Sequence, residues 1–310
     1  MSHKFRFGVQ ASGTEEDSWR DLAKRVEDLG YSTLYMPDHF VDTRLAPMPA
    51  LAMAAAYTTT LRVGALVFDN DYKHPAILAK EMATIDELSN GRCELGIGAG
   101  WMKTDYDALG LPYDSAGVRI ARLDEALQVI KGCWTDDPFS FEGAHYQIRD
   151  YDAIPKPVQK PGPPILIGGG APKILRLAGR EANIVGINPN LRAGAVTSDA
   201  SASSSGAETV KKLGWIKEGA GKRFDEIELQ IRYFLCAITD DAHGFASAVA
   251  PGFDTTPEEV LGSGVALIGS IPEMIDQLVA RREQWGVSNI VVGGDNFVAF
   301  APVVAALAGT

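Results

Sequence analysis

The stretch Thr33-Leu34-Tyr35-Met36-Pro37-Asp38-His39 contains the pattern on which the fold prediction depends: a short apolar run, a proline, and an acid beside an imidazole. Proline has no amide hydrogen to donate, so a strand over the apolar run is expected to end at Met36. Parallel α/β proteins place reactive groups at the carboxyl ends of buried strands, which is where Asp38 and His39 stand. The pair is equally compatible with an ordinary turn or a helix N-cap, and the rest of the chain has to decide.

Short apolar runs of this kind alternate with amphipathic helical stretches along the 310 residues. The pattern predicts strands at Phe5–Gln10, Thr33–Met36, Leu61–Phe68, Cys93–Gly98, Pro164–Gly168, Ile184–Ile187, Glu228–Ile238 and Asn289–Val292. It predicts helices at Glu15–Leu29, Met48–Thr58, Pro75–Leu88, Val118–Trp134, Pro172–Arg180, Ala207–Gly219, Ile271–Trp285 and Phe297–Leu307. Eight strand–helix repeats favour a single α/β domain over residues 1–310, a closed (β/α)8 TIM barrel, over an open sheet.

Two segments do not follow the repeat and are predicted to be insertions into the barrel. Residues 135–163 contain a hairpin-like stretch that turns at Glu142-Gly143, followed by a proline-rich crossing. Residues 189–206 are rich in alanine and serine and are interpreted as a mobile loop over the barrel mouth. A plain surface connection explains the second segment equally well.

Composition excludes several classes of function. The net charge of −11 argues against binding of nucleic acid, which relies on a positive surface. No apolar run approaches the ~18 residues that span a bilayer, so no membrane association is expected. The first residues lack the apolar segment of a signal peptide, which indicates a cytoplasmic protein. The three cysteines and five histidines show no metal-ligand spacing, and no metal is predicted.

Glycine-rich segments follow two of the predicted strands. Gly96–Trp101, GIGAGW, lacks the last glycine of the dinucleotide fingerprint G-x-G-x-x-G, which argues against a Rossmann site. Gly168–Lys173, GGGAPK, leads into a predicted helix whose free amides and dipole favour an anion. The second segment is therefore the candidate phosphate site, and a tight turn without a ligand is the alternative.

Motifs along nearly the whole chain resemble the bacterial luciferase-like superfamily. They are Pro37-Asp38-His39-Phe40, Leu61-Arg62-Val63-Gly64, His74-Pro75, Ser89-Asn90-Gly91-Arg92, Gly96–Trp101, and Gly169–Lys173 followed by Ala178-Gly179-Arg180. Within the superfamily the chain most resembles the deazaflavin-dependent oxidoreductases that use coenzyme F420. Enzymes that use flavin mononucleotide, FMN, share most of these motifs. The resemblance therefore implies F420 as the cofactor, with FMN as the alternative.

The resemblance also implies roles for residues at the strand ends. Asp38 and His39 would reach the cofactor ring, and Leu66-Val67 matches the place where relatives form a non-prolyl cis peptide behind the ring. The remaining implied cofactor residues are Gly98, Ala99 and Gly100 for the ring and linker, and Gly169, Gly170 and Ala171 for the phosphate.

One position departs from the pattern of the sugar-phosphate dehydrogenases in this group. Those enzymes place a glutamate general acid after the glycines of strand four, whereas this chain has Trp101. Dehydrogenation of a sugar phosphate is therefore not expected. The indole of Trp101 offers a flat apolar wall to a substrate or cofactor, or packs beneath its own loop.

These observations predict an enzyme that transfers a hydride between F420 and a small organic substrate, with reduction of an activated C=C or C=N bond as the favoured reaction. His39 would be the catalytic residue that handles the proton, because imidazole exchanges protons near neutral pH, while Asp38 would orient it or hold the ring edge. The substrate-pocket candidates are Gln10, Asn70, Trp101, Asn188 and Arg232.

Two alternatives remain at this stage. One is an FMN-dependent two-component monooxygenase of the luciferase-like type, served by a separate cofactor reductase. The other is a non-catalytic flavin-binding relative. Relatives usually dimerise through helices near strands two and three, so a homodimer is expected.

Overall fold

The computed structural model describes residues 3–13, 18–41, 43–195 and 198–310. The strands are β1 Arg6–Gln10, β2 Thr33–Met36, β3 Arg62–Ala65, β4 Phe68–Asp69, β5 Cys93–Gly98, β6 Phe139–Glu142, β7 Gln147–Tyr151, β8 Ile165–Gly169, β9 Ile184–Ile187, β10 Glu228–Arg232, β11 Leu235–Ile238, β12 Ala266–Gly269 and β13 Val287–Gly293. The helices are α1 Trp19–Asp28, α2 Pro47–Tyr57, α3 Pro75–Leu88, α4 Lys103–Leu109, α5 Ala116–Cys133, α6 Pro172–Glu181, α7 Ser198–Ala202, α8 Gly206–Ala220, α9 Ala242–Val249, α10 Pro257–Leu261, α11 Ile271–Trp285 and α12 Phe297–Leu307.

The main sheet is a closed parallel barrel. Its strand order is β3-β2-β1-β13-β10-β9-β8-β5-β4, and a further pairing of β3 with β5 closes the ring. Since β4 continues β3 after two residues, the pair occupies one of eight places around the barrel. The predicted (β/α)8 TIM barrel is confirmed.

The strands form where the sequence has short apolar runs because both faces of a parallel sheet are covered. All four residues of β2 and all six of β5 are buried, without the alternation typical of a half-exposed strand. A buried ion network fills the interior near the amino ends of the strands: Glu94 accepts from Arg6, from Arg62 at 2.6 Å and from the Tyr35 hydroxyl at 2.7 Å. The opposite end of the barrel is therefore the place for a ligand.

Two predicted strands are interrupted in the structure. The predicted strand Leu61–Phe68 is β3 and β4, separated at Leu66-Val67, where the peptide bond is cis as the resemblance implies. The predicted strand Glu228–Ile238 was wrong as a single element. It is β10 in the barrel and β11 outside it, because the chain leaves the barrel at Tyr233-Phe234 although the apolar pattern continues without a break.

The segment after β10 is an excursion that the sequence pattern did not predict. β11 pairs with β12 in a separate parallel two-stranded sheet, and α9 and α10 lie between them in the chain. Ala246, Val260 and Ile268 belong to a small apolar cluster of this excursion, apart from the main core. We refer to residues 233–269 as the β10 excursion.

Other elements agree with the sequence patterns or add to them. The hairpin predicted within 135–163 is present as the antiparallel pair β6 and β7. The predicted loop 189–206 contains the short helix α7, and residues 196–197 lie outside the described part of the chain. The predicted helix Glu15–Leu29 begins at Trp19 after the Ser18 cap, and residues 15–17 also lie outside the description. Across the ranges described, we find no helix with the length and apolar character that crossing a membrane requires.

Candidate active site

A cavity of about 1230 Å³ opens at the carboxyl ends of the barrel strands. Residues at the ends of β1, β2, β4, β5, β8, β9 and β10 line it, together with part of the β10 excursion. Almost all of the predicted site residues line this cavity: Gln10, Asp38, His39, Leu66, Val67, Gly98, Ala99, Gly100, Trp101, Gly169, Gly170, Ala171, Asn188 and Arg232.

Asn70 is the predicted pocket residue that does not line the cavity. It begins a short 3-10 turn after β4, is only 2% exposed, and donates from Nδ2 to the Tyr146 hydroxyl at 3.3 Å. The turn carries its side chain to the hairpin of β6 and β7 rather than to the strand end.

The imidazole of His39 is held by a carboxylate from another part of the chain. Nδ1 of His39 lies 2.7 Å from Oδ2 of Asp105, a fully buried residue of α4. Asp105 also accepts the amides of Phe40 and Val41, each at 3.0 Å. Burial opposes ionisation of Asp105, but these hydrogen bonds outweigh it and hold its pKa below the usual range.

The Asp105 contact decides which His39 nitrogen is available. An ionised carboxylate accepts only, so the Nδ1 of His39 carries the hydrogen and donates. Nε2 has no hydrogen-bond partner among the residues that the structure describes, and His39 lines the cavity. The site therefore offers Nε2 as the proton-exchanging atom.

Asp38 does not orient His39, which corrects one of the two roles predicted for it. Its Oδ2 accepts the backbone amide of Asp69 at 3.1 Å. Burial raises the pKa of the Asp38 carboxyl, although the Asp69 amide opposes that shift. Asp38 still lines the cavity, so the predicted contact with a ring edge stays a prediction.

Asp69 is a second buried carboxyl at the cavity wall. It accepts from the Tyr106 hydroxyl at 2.9 Å and from the Asp71 amide at 2.9 Å. Burial nevertheless raises the pKa of Asp69 to about 7, because these hydrogen bonds do not compensate for the hydration that the charged carboxylate loses in the protein.

The floor of the cavity is formed by the cis-linked residues between β3 and β4. Leu66 and Val67 pack against Tyr35 and Leu166, which lie inside the barrel. The Leu66 carbonyl accepts from Nε2 of Gln10 at 2.7 Å, which ties this floor to β1. An apolar surface formed by Leu66 and Val67 therefore lines this part of the cavity.

The glycines after β5 and β8 are required by packing within the protein. A Cβ on Gly98 would lie 2.8 Å from Val67 Cγ2, and one on Gly170 would lie 2.1 Å from the Pro189 carbonyl oxygen. These glycines permit close contact between neighbouring strand ends. Because both line the cavity, they present only backbone atoms to it.

The amino end of α6 is open toward the cavity. Ala171 occupies the N-cap, no described side chain caps the helix, and Pro172 and Lys173 line the cavity beside it. Uncapped first-turn amides and the helix dipole favour an anion at this place. Nζ of Lys173 donates to the Gly117 carbonyl at 3.1 Å and adds positive charge nearby.

Trp101 forms an aromatic contact with His39. Their ring centroids are 5.6 Å apart with planes at 88°, an edge-to-face arrangement. The Trp101 carbonyl accepts from the Tyr113 hydroxyl at 2.9 Å, which holds the loop. The indole thus forms a wall beside the imidazole.

Several residues of the site were missed by the sequence reasoning. Asp105 and Tyr106 lie on α4, whose seven residues are too short for a helical period to stand out. Arg119 of α5 is 5% exposed and donates to the carbonyls of Ala99, at 3.1 Å, and Gly100, at 3.3 Å. The order Trp-Met-Lys-Thr-Asp after the β5 glycines is the one signal that could have pointed to Asp105.

Comparison with known proteins identifies a family. The family described as luciferase-like monooxygenase matches residues 2–243. The FMNH2-dependent dimethylsulfone monooxygenase of Pseudomonas putida is 36% identical over 135 residues, 44% of this chain and 37% of that protein. The F420-dependent glucose-6-phosphate dehydrogenase of Nakamurella multipartita is 31% identical over 238 residues, 72% of this chain and 65% of that protein. The chain thus spans less than two thirds of the length of these curated relatives.

Solved structures share the fold over almost the full chain. The F420-dependent tetrahydromethanopterin reductase of Methanopyrus kandleri has a TM-score of 0.77 and 22% identity, covering 99% of both chains. A long-chain alkane monooxygenase has a TM-score of 0.76 and 14% identity, covering 99% of this chain and 92% of that one. At these identities the likeness establishes the barrel fold alone.

Proposed function

The chain belongs to the luciferase-like monooxygenase family, and from that premise we propose that it is an F420-dependent oxidoreductase that reduces an activated C=C or C=N bond of a small organic substrate. The observation that carries the proposal is the His39–Asp105 pair at the wall of a cavity whose floor includes the apolar residues Leu66 and Val67. The F420-dependent relatives at 31–33% identity support the choice of cofactor.

The support for a flavin-type cofactor comes from the residues that line the cavity. Leu66 and Val67 would support the ring, and Gly98, Ala99 and Gly100 would lie along it. The backbone amides of Gly169, Gly170 and Ala171, with the open end of α6, would hold the anionic tail. Bound and reduced, F420 supplies a hydride from C5 of its ring.

The protein's own contribution is positioning and proton transfer. The cavity walls would hold the substrate with its reducible bond near Leu66 and Val67. A protonated His39 donates from Nε2 to the substrate atom that gains negative charge as the bond is reduced. Asp105 keeps the ring in place through Nδ1 and stabilises the cationic imidazole.

The cofactor preference is tested by titrating the purified chain with oxidised F420 and with FMN. We expect F420 to bind at least roughly tenfold more tightly, and 2-cyclohexen-1-one to reoxidise the reduced complex under anaerobic conditions. Tighter binding of FMN, or rapid oxygen consumption with reduced FMN, would overturn the proposal.

A second candidate is an FMN-dependent monooxygenase served by a separate reductase. The specific observation in its favour is the 36% identity to the dimethylsulfone monooxygenase. Its expected result is oxygen-dependent product formation when any chemical or enzymatic source of reduced FMN is supplied. A non-catalytic relative would instead bind cofactor tightly and show no turnover that depends on His39.

A further inference from the structure

Arg232 is a cation at the cavity wall that has no hydrogen-bond or ion-pair partner among the residues the structure describes. It ends β10 and lines the cavity, and its Nε is buried without a hydrogen bond. Among the described residues, no carboxylate oxygen lies within 4.0 Å of the Arg232 guanidinium. Burial lowers the pKa of Arg232, and the more distant Asp295 opposes that shift without pairing. The Arg232 side chain is partly exposed, so its terminal nitrogens remain accessible, whereas a buried Nε without an acceptor is costly and points to a ligand that supplies one.

The topology places Arg232 across the cavity from the floor. In the closed order β3-β2-β1-β13-β10-β9-β8-β5, β10 is four places from β3 in either direction. The cis-linked Leu66-Val67 follows β3 directly. A molecule resting on that floor therefore has Arg232 on its far side.

The guanidinium of Arg232 lies over an aromatic ring. Cζ lies 4.3 Å from the ring centroid of Phe234, so one face of the group is covered by an aromatic ring. A stacked guanidinium keeps its N–H groups at its edge, where they match the two oxygens of a carboxylate or phosphate. Phe234 is itself 50% exposed and belongs to the β10 excursion.

The excursion supplies the rest of this wall, and most of it is apolar. Leu235, Val260 and Val265 line the cavity near Phe234. Glu259 also lines it, but its carboxylate accepts from Thr255 and Thr256 in the cap of α10. Asp254 lies on the same wall and makes no ion pair with Arg232 within the described residues. An apolar wall strengthens the attraction between Arg232 and an anion.

We propose that Arg232 determines substrate specificity by binding an oxyanion, a carboxylate or a phosphate, on the substrate. The substrate class is then a small organic anion whose reducible bond lies over the floor and whose charged group reaches β10. This inference rests on the proposed function, since it takes the bound molecule to be the hydride acceptor.

The test measures binding of three probes to the full chain loaded with oxidised F420: benzoate, phenyl phosphate and the neutral benzamide. The variants are Arg232→Gln, which removes the charge, and Arg232→Lys, which keeps the charge but loses the planar guanidinium that can donate two parallel hydrogen bonds. Arg282→Gln is the matched control, because Arg282 also covers a phenyl ring, Phe5, at 4.0 Å and lies outside the cavity lining. Isothermal titration calorimetry gives the dissociation constants, and thermal melting checks folding.

The wild-type protein should bind one of the two anions at least roughly tenfold more tightly than benzamide. Arg232→Gln should abolish that preference, Arg232→Lys should retain part of it, and Arg282→Gln should retain all of it. Which anion is preferred distinguishes a carboxylate substrate from a phosphate one. Equal binding of all three probes by the wild-type protein, or an undiminished preference in a folded Arg232→Gln variant, would overturn the inference.

Failure of the proposed function has a separate signature. If F420 does not bind, the oxidoreductase proposal fails in the loading step, before any probe is added. The same titrations on the unloaded chain then report on Arg232 alone.

Discussion

Nδ1 of His39 lies 2.7 Å from Oδ2 of Asp105, a residue 66 positions later in the chain and fully buried. Two backbone amides that follow His39 donate to the other oxygen of the same carboxylate. One carboxylate therefore fixes both the imidazole and the loop that carries it. Within the described part of the chain, Nε2 of His39 has no hydrogen-bond partner, and His39 lines the cavity.

Replacing His39 by alanine should separate catalysis from binding. Because the imidazole is proposed to handle the proton, His39→Ala should lower kcat by roughly 10²–10⁴-fold. The dissociation constant for F420 should change less than about threefold, since the tail and floor contacts remain. Steady-state kinetics and cofactor titration check this, and equal losses in both quantities contradict the role.

Asp105→Asn tests Asp105 as a positioning residue. Losing a charge-assisted hydrogen bond of about 1.5–3 kcal/mol should lower kcat roughly 10- to 150-fold. The dissociation constant for F420 should change less than about threefold, because Asp105 is not among the residues that line the cavity. Asp107→Asn is the control, because Asp107 is an exposed residue of the same helix paired with Lys103. Equal losses in kcat and in F420 affinity would indicate a structural role alone.

Gly100→Ala should damage the cavity wall more than the same change at Gly110. Both glycines have left-handed φ values, +74° and +66°, so both variants lose about 1–2 kcal/mol of backbone stability. Only at Gly100 does a Cβ collide, 2.0 Å from the Tyr106 hydroxyl and 2.4 Å from Asp69 Oδ2. We expect Gly100→Ala to cost roughly a further 1–3 kcal/mol in urea unfolding and to weaken F420 binding. Equal losses in the free energy of unfolding for the two variants would contradict the predicted collision of the new Cβ at position 100 with Tyr106 and Asp69.

Asp69 should give the protein a measurable pH dependence of stability. Because burial raises the pKa of Asp69 to about 7, its folded form holds the proton more tightly than the unfolded chain does. The stability linked to this group is present below about pH 4 and is lost as the pH rises through about 7.

Asp69→Asn removes that contribution and leaves the one from Asp38. Between about pH 4 and 8, the free energy of unfolding should therefore fall more steeply for the wild type than for the variant, by an amount on the order of a few kcal/mol. Urea titrations across this range give both slopes. Equal slopes of unfolding free energy against pH for the wild type and the variant would contradict the raised pKa of Asp69.

Lys212→Met should loosen the loop after β9. Lys212 is 2% exposed, and Nζ donates to the carbonyls of Asn188 at 2.7 Å and Ser203 at 2.6 Å. Methionine fills similar space but leaves both acceptors unpaired, so we expect a loss of about 1–3 kcal/mol. Lys211→Met is the control, since Lys211 is exposed and pairs with Glu208 at the surface. Denaturant unfolding that shows equal stability for the two variants refutes this role.

Much of the barrel was predictable because each strand and helix is specified by consecutive residues of the sequence. Apolar runs such as Thr33–Met36 and Cys93–Gly98 are continuous since both faces of the strands are buried, and helix periods separate them. Once the repeat is recognised, the closed sheet brings the strand ends together without further information. That is why Asp38, Gly98 and Arg232 could be assigned to one mouth.

The contacts that give the site its chemistry depended on the path of the loops. Asp105 reaches His39 through a helix too short to show a period, and the 3-10 turn after β4 carries Asn70 away from the mouth. The β10 excursion begins inside a continuous β-like run and places Phe234 beside Arg232. Sequence periodicity records which face of an element is buried, and it holds no record of which distant side chain a loop brings within 3 Å. The sequence by itself determined the barrel and the location of its mouth, whereas tertiary packing alone decided the partner of His39 and the isolation of Arg232.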